Sequence, residues 1–311
     1  MVSEKSNFHP KNKHRFSYNF KELCQSFPAL IPFISINKFG NESIDFANPQ
    51  AVKTLNKALL HYFYGIKNWD IPENQLCPPI PGRVDYLHYL ADELSLLNNG
   101  KLPQGNKIKL LDIGTGANCI YPLLGNKEYD WNFVAADSDL KSLESAKKNS
   151  KEINKKEERI VLRLQKNTNH IFKDIIQQDE KFDFTLCNPP FHDSLEAARK
   201  GTERKWKNLG KTIETLNFGG QNNELFCEGG EALFVKKMID ESVLFSKNCL
   251  WFSTLVSKKS NLPFIYKNLK KVNAFEVKTI EMLHGQKTTR IVLWTFLNCD
   301  EQKKWVKTRW L

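Results

Sequence analysis

Apolar residues along this chain follow two rhythms, and the change between them comes near Lys107. Before that point they recur at helical spacing in two places. Ala51 to Tyr64 (AVKTLNKALLHYFY) reads as an amphipathic helix with Asn48-Pro49 at its start, and Val84 to Leu97 as a second, stopped by Asn98-Asn99-Gly100. A Pro-rich stretch, Ile71 to Pro81, separates them, and the rest of the first hundred residues predicts irregular structure with short helices. After Lys107, short apolar runs alternate with helical patterns. The predicted strands are Lys107–Ile113, Trp131–Ala136, Arg159–Leu164, Phe182–Cys187, Cys249–Leu255, Phe275–Met282 and Arg290–Phe296. Helices are expected between most of them, notably Leu140–Asn149 and Glu231–Phe245. That alternation predicts an α/β fold with a mostly parallel sheet covered on both faces. The last two strands, parted by His284-Gly285-Gln286-Lys287, read as an antiparallel hairpin at the end. A domain boundary is expected near residue 100, giving a mainly helical or irregular extension (1–100) and an α/β domain (101–311).

Composition narrows the class. The 311 residues are 41% hydrophobic and 26% charged, as in a globular protein. No apolar run reaches the roughly 18 residues of a membrane span, and Met1 to Phe16 has no secretory apolar core. Seven scattered cysteines make no Cys-x-x-Cys pair, which predicts reduced thiols in a cytoplasm and no metal site. Forty-six Lys and Arg against 35 Asp and Glu leave a formal charge of +11, which points to a polyanionic partner, nucleic acid first. The basic residues cluster at His9 to Arg15, at Arg199 to Lys211 and at Lys247 to Lys271, the last two interleaved with aromatics.

Two motifs carry chemistry. Lys109-Leu-Leu-Asp-Ile-Gly-Thr-Gly116 is a strand that runs into Asp112, Gly114 and Gly116, where a doubly wound sheet binds its ligand. The next strand ends in Asp137, an acid able to accept both hydroxyls of a ribose. A dinucleotide loop would carry a third small residue where Cys119 stands, and Pro122 makes a poor opening for a pyrophosphate-binding helix. S-adenosylmethionine fits better than NAD. The second motif is Asn188-Pro189-Pro190-Phe191, at the end of the fourth strand. An exocyclic adenine amine is a poor nucleophile because its lone pair is conjugated with the ring. The Asn188 side-chain oxygen and the Pro189 carbonyl can each accept one of its N–H groups and let the nitrogen pyramidalise. Fixed proline φ angles at Pro189 and Pro190 hold those acceptors in place, and Phe191 offers a stacking face. Alignment supplies most of the rate, so no general base is required.

Longer segments resemble the bacterial 23S ribosomal RNA adenine-N6-methyltransferase family, whose eukaryotic relatives methylate adenine in a spliceosomal RNA and in messenger hairpins. They include His9-Pro-Lys-Asn-Lys-His14, Asp45-Phe-Ala-Asn-Pro49, Cys77-Pro-Pro-Ile-Pro-Gly-Arg83, Leu111-Asp-Ile-Gly-Thr-Gly-Ala-Asn-Cys-Ile-Tyr-Pro122, Cys187-Asn-Pro-Pro-Phe-His192, Leu216-Asn-Phe-Gly-Gly-Gln221 and Cys227-Glu-Gly-Gly-Glu231. The resemblance implies a class I Rossmann-like S-adenosylmethionine-dependent methyltransferase fold. It implies a donor site at Arg83, Asp112, Gly114, Gly116, Asn118, Asp137 and Asn167, with Arg83 on the donor carboxylate. Asn167 stands where a relative has a short hydroxyl side chain. RNA contacts are implied at Lys11, Lys13, His14 and Arg15, and at Arg199, Arg204 and Lys205 flanking the target base. The implied partner is 23S ribosomal RNA or a large-subunit assembly intermediate, bound by a monomer. Two other functions remain open on the residues: a protein glutamine N5-methyltransferase, whose tetrad ends in Tyr, and a non-catalytic RNA-binding module.

Overall fold

A computed structural model describes residues 7–73, 75–190, 229–284 and 287–310. The switch to alternating strands and helices yields the expected sheet. Its first strands are β3 (Lys109–Ile113), β4 (Asn132–Asp137), β5 (Ile160–Leu164) and β6 (Phe182–Cys187). It is completed by β7 (Cys249–Val256), β8 (Glu276–His284) and β9 (Lys287–Thr295). The order is β5-β4-β3-β6-β7-β9-β8. β3 pairs in parallel with β4 and β6, and β6 with β7, so these strands end on one edge. β8 and β9 form the expected hairpin, and β9 returns antiparallel to β7.

Both faces of the sheet are covered, which explains the near-continuous apolar strands. On one side Leu110 joins a core with Val84 and Leu87 of α3 (Ile80–Leu97) and Leu124 of α4 (Ile120–Tyr129). On the other, Leu111 and Ile113 meet Val235, Met238 and Ile239 of α6 (Gly230–Ser242), and Ile265 and Leu269 of α7 (Leu262–Lys271). α5 (Leu140–Ser150) matches its predicted span within one residue.

The N-terminal part is more ordered than its pattern suggested. α1 (Phe20–Ser26), a short hairpin of β1 (Ile34–Ile36) and β2 (Glu42–Ile44), and α2 (Pro49–Tyr64) share a small core of their own. Asn48 caps α2 as expected, its Oδ1 accepting the N–H groups of Gln50 at 2.9 Å and Ala51 at 3.2 Å. α3 starts at Ile80 rather than Val84. Pro81 sits in its first turn, where a missing N–H leaves no helical bond unmade. α3 belongs to the main core, which runs from Leu60 to Trp310 across the boundary expected near residue 100.

α8 (Cys299–Arg309), closed by an Asn298–Glu301 capping box, had no strong pattern of its own. Its residue Trp305 and the following Trp310 donate their indole N–H groups to Asp183 Oδ1 at 2.7 and 2.8 Å. The Lys109 backbone N–H donates to Asp183 Oδ2 at 2.8 Å. Burial raises the Asp183 pKa, and these donors with Arg309 oppose the rise.

Gly125 of α4 sits close against β4. A Cβ there would come within 2.7 Å of the Phe133 ring, which is 1% exposed on β4. Gly125→Ala should therefore destabilise the fold by about 1–3 kcal/mol. A lower urea midpoint with an unchanged slope checks this, and an unchanged midpoint refutes it.

Candidate donor and RNA site

The carboxyl ends of β3, β4 and β6 open into one cavity of about 1100 Å³. Ile113, Gly114, Thr115, Gly116 and Asn118 line it after β3, Asp137 to Asp139 after β4, and Cys187, Asn188 and Pro190 after β6. The glycine loop has the geometry its residues require. Gly114 (φ 73°) and Gly116 (φ 63°) lie in the left-handed region, which a side chain would strain. The loop is sewn to the end of β4. Gly114 and Thr115 donate their N–H groups to the Ala136 carbonyl at 2.9 and 3.0 Å, and Gly116 donates to Asp137 Oδ2 at 2.8 Å. The other Asp137 oxygen accepts the Asp139 N–H at 2.9 Å. Burial raises the pKa of Asp137, and these bonds oppose it.

The segment after the loop does form a helix. α4 begins at Ile120 with Cys119 as its N-terminal cap residue, and Pro122 falls in the first turn, where its missing N–H costs nothing. In sequence Pro122 makes a poor opening for a pyrophosphate-binding helix; the segment nonetheless opens as a helix at Ile120.

Arg83 reaches the cavity from α3, 9% exposed. Its Nη1 donates to the Tyr121 hydroxyl at 2.9 Å, and its guanidinium lies 5.5 Å from the Tyr121 ring centre. Burial pushes the Tyr121 pKa up to about 12, so the phenol stays protonated beside that cation. Asn118 lines the cavity while its Oδ1 accepts the Ile120 N–H at 3.1 Å.

Two expected donor-site residues do not line the cavity. Asp112 is fully buried, and neither carboxylate oxygen has a hydrogen-bond partner among the described residues. Burial pushes its pKa up to about 7, against the pull of Thr115 and Arg83. Asn167 is turned into its own loop, donating its N–H to Gln165 Oε1 and accepting the Asn169 N–H, both at 3.0 Å. Its neighbours Gln165, Thr168, Asn169 and His170 line the wall instead. Their position after β5, on the same edge of the sheet, was the available signal.

The facing wall was not anticipated. Leu233, Phe234, Lys236, Lys237, Asp240 and Glu241 of α6 line the cavity. Glu241 clips α6 to the loop after β5, accepting the N–H groups of Ile171 at 2.7 Å and Phe172 at 3.0 Å.

At the end of β6, the Asn188 side-chain oxygen is shielded and has no hydrogen-bond partner among the described residues. Pro190 lines the cavity with it, while Pro189, also buried, does not. Phe191, Arg199, Arg204 and Lys205 lie outside the described residues.

Of the expected N-terminal RNA contacts, Lys11 and Lys13 are exposed, although each has an acidic partner: Asp92 at 2.7 Å and Glu128 at 2.6 Å. Arg15 donates to the Pro10 carbonyl at 3.0 Å. His14 is a correction. It is 0% exposed, packed among Tyr18, Phe63 and Tyr64, with its Nε2 2.9 Å from the Tyr64 hydroxyl, so it anchors the segment from inside. Among the described residues there is no cluster of three metal-ligating side chains and no helix long and apolar enough to cross a membrane.

The family model described as RNA methyltransferase matches residues 2–298. The chain belongs to the RNA methyltransferase family. Ribosomal RNA large subunit methyltransferase F of Flavobacterium johnsoniae is 57% identical over 308 residues, covering 97% of this chain and 98% of its own. The protein of that name from Photobacterium profundum is 50% identical over 328 residues, covering 99% and 97%. The hMettl16 catalytic domain in complex with MAT2A 3'UTR hairpin 1 superposes with a TM-score of 0.78 at 29% identity, covering 94% of this chain and 96% of that one. The N-terminal domain of human METTL16 in complex with SAH gives 0.74 at 28% identity, covering 94% and 99%. The family sets aside the protein glutamine and relic-fold readings, and these neighbours share the expected Rossmann-like fold.

Asp112 generates a pH prediction for this methyltransferase. Folded, it holds its proton up to about pH 7; unfolded, it releases it near the ordinary carboxylate value of about 4. Between those values the native state binds more protons, so stability falls as pH rises. Asp112→Asn should flatten that slope in urea unfolding between pH 4.5 and 7 (roughly the window just defined). A slope that survives in the variant refutes the assignment.

Proposed function

We propose that this chain methylates the N6 amine of one adenine in 23S ribosomal RNA. The methyl donor is S-adenosylmethionine. One observation carries the reading: a shielded side-chain oxygen on Asn188, without a partner among the described residues, in the lining of the cavity that also holds the glycine loop. Leaving a buried acceptor unpaired costs about 1–3 kcal/mol, so its natural complement is an N–H donor brought by the substrate.

The cavity suits the donor. Gly114 and Gly116 bring the backbone close without a Cβ, the Asp137 carboxylate in the lining would accept a ribose hydroxyl, and Arg83 presents a fork for a carboxylate. When bound, S-adenosylmethionine supplies an electrophilic methyl group on a sulfonium. Asn188 would accept one N–H of the adenine amine and the Pro189 carbonyl the other, which frees the nitrogen lone pair. Pro189 and Pro190 limit the motion of both acceptors, and Phe191 would stack on the base. Lys11, Lys13 and Arg15 would contact RNA phosphates, while Arg199, Arg204 and Lys205 would flank the base. Relatives named for ribosomal RNA at 50–57% identity support that substrate class. We further propose a cytoplasmic monomer acting on 23S ribosomal RNA or on a large-subunit assembly intermediate.

Asn188→Ala should keep donor affinity in calorimetry while methyl transfer to ribosomal RNA falls by about 100-fold. Labelled donor and mass-spectrometric mapping of the modified fragment provide the readout. Full retained activity would remove Asn188 from the transfer step, and label on ribosomal protein would overturn the RNA substrate.

A further inference from the structure

We infer that Asn12 is a positioning residue that couples RNA engagement to donor binding, an inference that rests on the RNA methyltransferase reading above. Asn12 is 1% exposed, in the middle of the N-terminal basic segment. Its side-chain amide donates to the Pro81 carbonyl at 3.0 Å and to the Asp85 carboxylate, which also accepts the His9 N–H at 3.2 Å. Its Oδ1 accepts the His14 backbone N–H at 2.8 Å, tying the amide to the residue whose imidazole is buried among Tyr18, Phe63 and Tyr64. Pro81 and Asp85 bracket Arg83 in the first turns of α3, and Arg83 is the α3 cation that lines the donor cavity.

The same segment grips the neighbouring helix. Lys13 pairs with Glu128 of α4 at 2.6 Å, and α4 also carries Tyr121, the hydroxyl partner of Arg83 at 2.9 Å. Residues 9–14 thus bridge the two helices whose facing side chains, Arg83 and Tyr121, form one wall of the cavity. On the outer side, Lys11 and Lys13 keep 46% and 41% of their side-chain surface exposed, open to phosphate. RNA that holds this segment in place meets part of the ordering cost of the Arg83 turn, so the donor binds a better prepared site. By linkage, the donor must tighten RNA by the same factor.

The test measures S-adenosylhomocysteine affinity by calorimetry, with and without saturating 23S ribosomal RNA transcribed in vitro. This ligand carries no transferable methyl group, so binding is read without turnover. In the wild type, RNA should tighten it by about fivefold or more. In Asn12→Ala that ratio should fall to about one, and the gain in RNA affinity caused by the ligand should fall with it. Asn12→Ser is the second variant, keeping an acceptor for the His14 N–H while losing reach to Pro81. A general loss of stability lowers the melting temperature without erasing the ratio, which separates positioning from mere folding. A ratio that stays at the wild-type value in either folded variant overturns the role of Asn12. A wild-type ratio of one overturns the coupling itself. A wild type that binds neither ligand overturns the functional reading along with it.

Discussion

The Asp137 carboxylate accepts the Gly116 N–H at 2.8 Å, and that bond holds the glycine loop closed against the end of β4. The loop has left-handed φ angles at Gly114 and Gly116, so its backbone N–H groups are outside any helix or strand of their own. Gly114 and Thr115 find theirs at the Ala136 carbonyl, and Gly116 finds its partner in the acid at the strand end. One carboxylate therefore shapes the loop and faces the cavity. Parallel pairing of β3 with β4 and β6 then places Asn188 on the same edge. A strand running the other way would carry its terminal residues to the far side of the sheet.

Among the described residues, four acids of this basic chain, Asp85, Asp112, Asp183 and Glu231, are buried. Asp183 gathers two indoles and a backbone N–H, locking α8 and the following Trp310 beneath the sheet. Glu231, 1% exposed, accepts the Ser257 N–H at 2.8 Å and the Asn261 amide at 2.7 Å, joining the start of α6 to the loop after β7. Glu241 does the same for the loop after β5. Each satisfies donors that no regular element serves, and Glu231 and Glu241 hold α6, which forms one wall of the cavity. The chain as a whole carries a formal charge of +11, which a polyanion can meet.

Much of the fold was legible because strands buried on both faces read as plain apolar runs. Phe182–Cys187 was read to the residue, and the other strands of the seven-stranded sheet to within a few; the N-terminal hairpin was not. The N-terminal helices were legible from their spacing, but the onset of α3 was not, because Ile80-Pro81-Gly82 reads as a turn until something packs on it. The glycine loop was legible because its positive-φ turn demands glycine, and the Asn-Pro-Pro corner because consecutive prolines fix φ at a strand end. Lys236, Glu241 and Gln165 were not, since each is an ordinary polar residue until a strand end brings it to the cavity.

Local chemistry along the chain determined the element types, the two motifs and the partner's charge, because each depends on residues within a few positions of one another. Tertiary structure alone decided which of those residues meet. Lys247 and Lys258 belong to one basic run in sequence, yet β7 separates them by roughly 26 Å at about 3.3 Å per residue. Lys247 therefore pairs with Glu301 at the amino edge while Lys258 stays at the carboxyl edge, near the Glu231-bound loop. His14 sits among surface lysines in sequence and inside an aromatic cage in space, because Tyr18, Phe63 and Tyr64 converge on it only when α2 folds back. Burial and pairing depend on distance in space, which chain order does not encode locally.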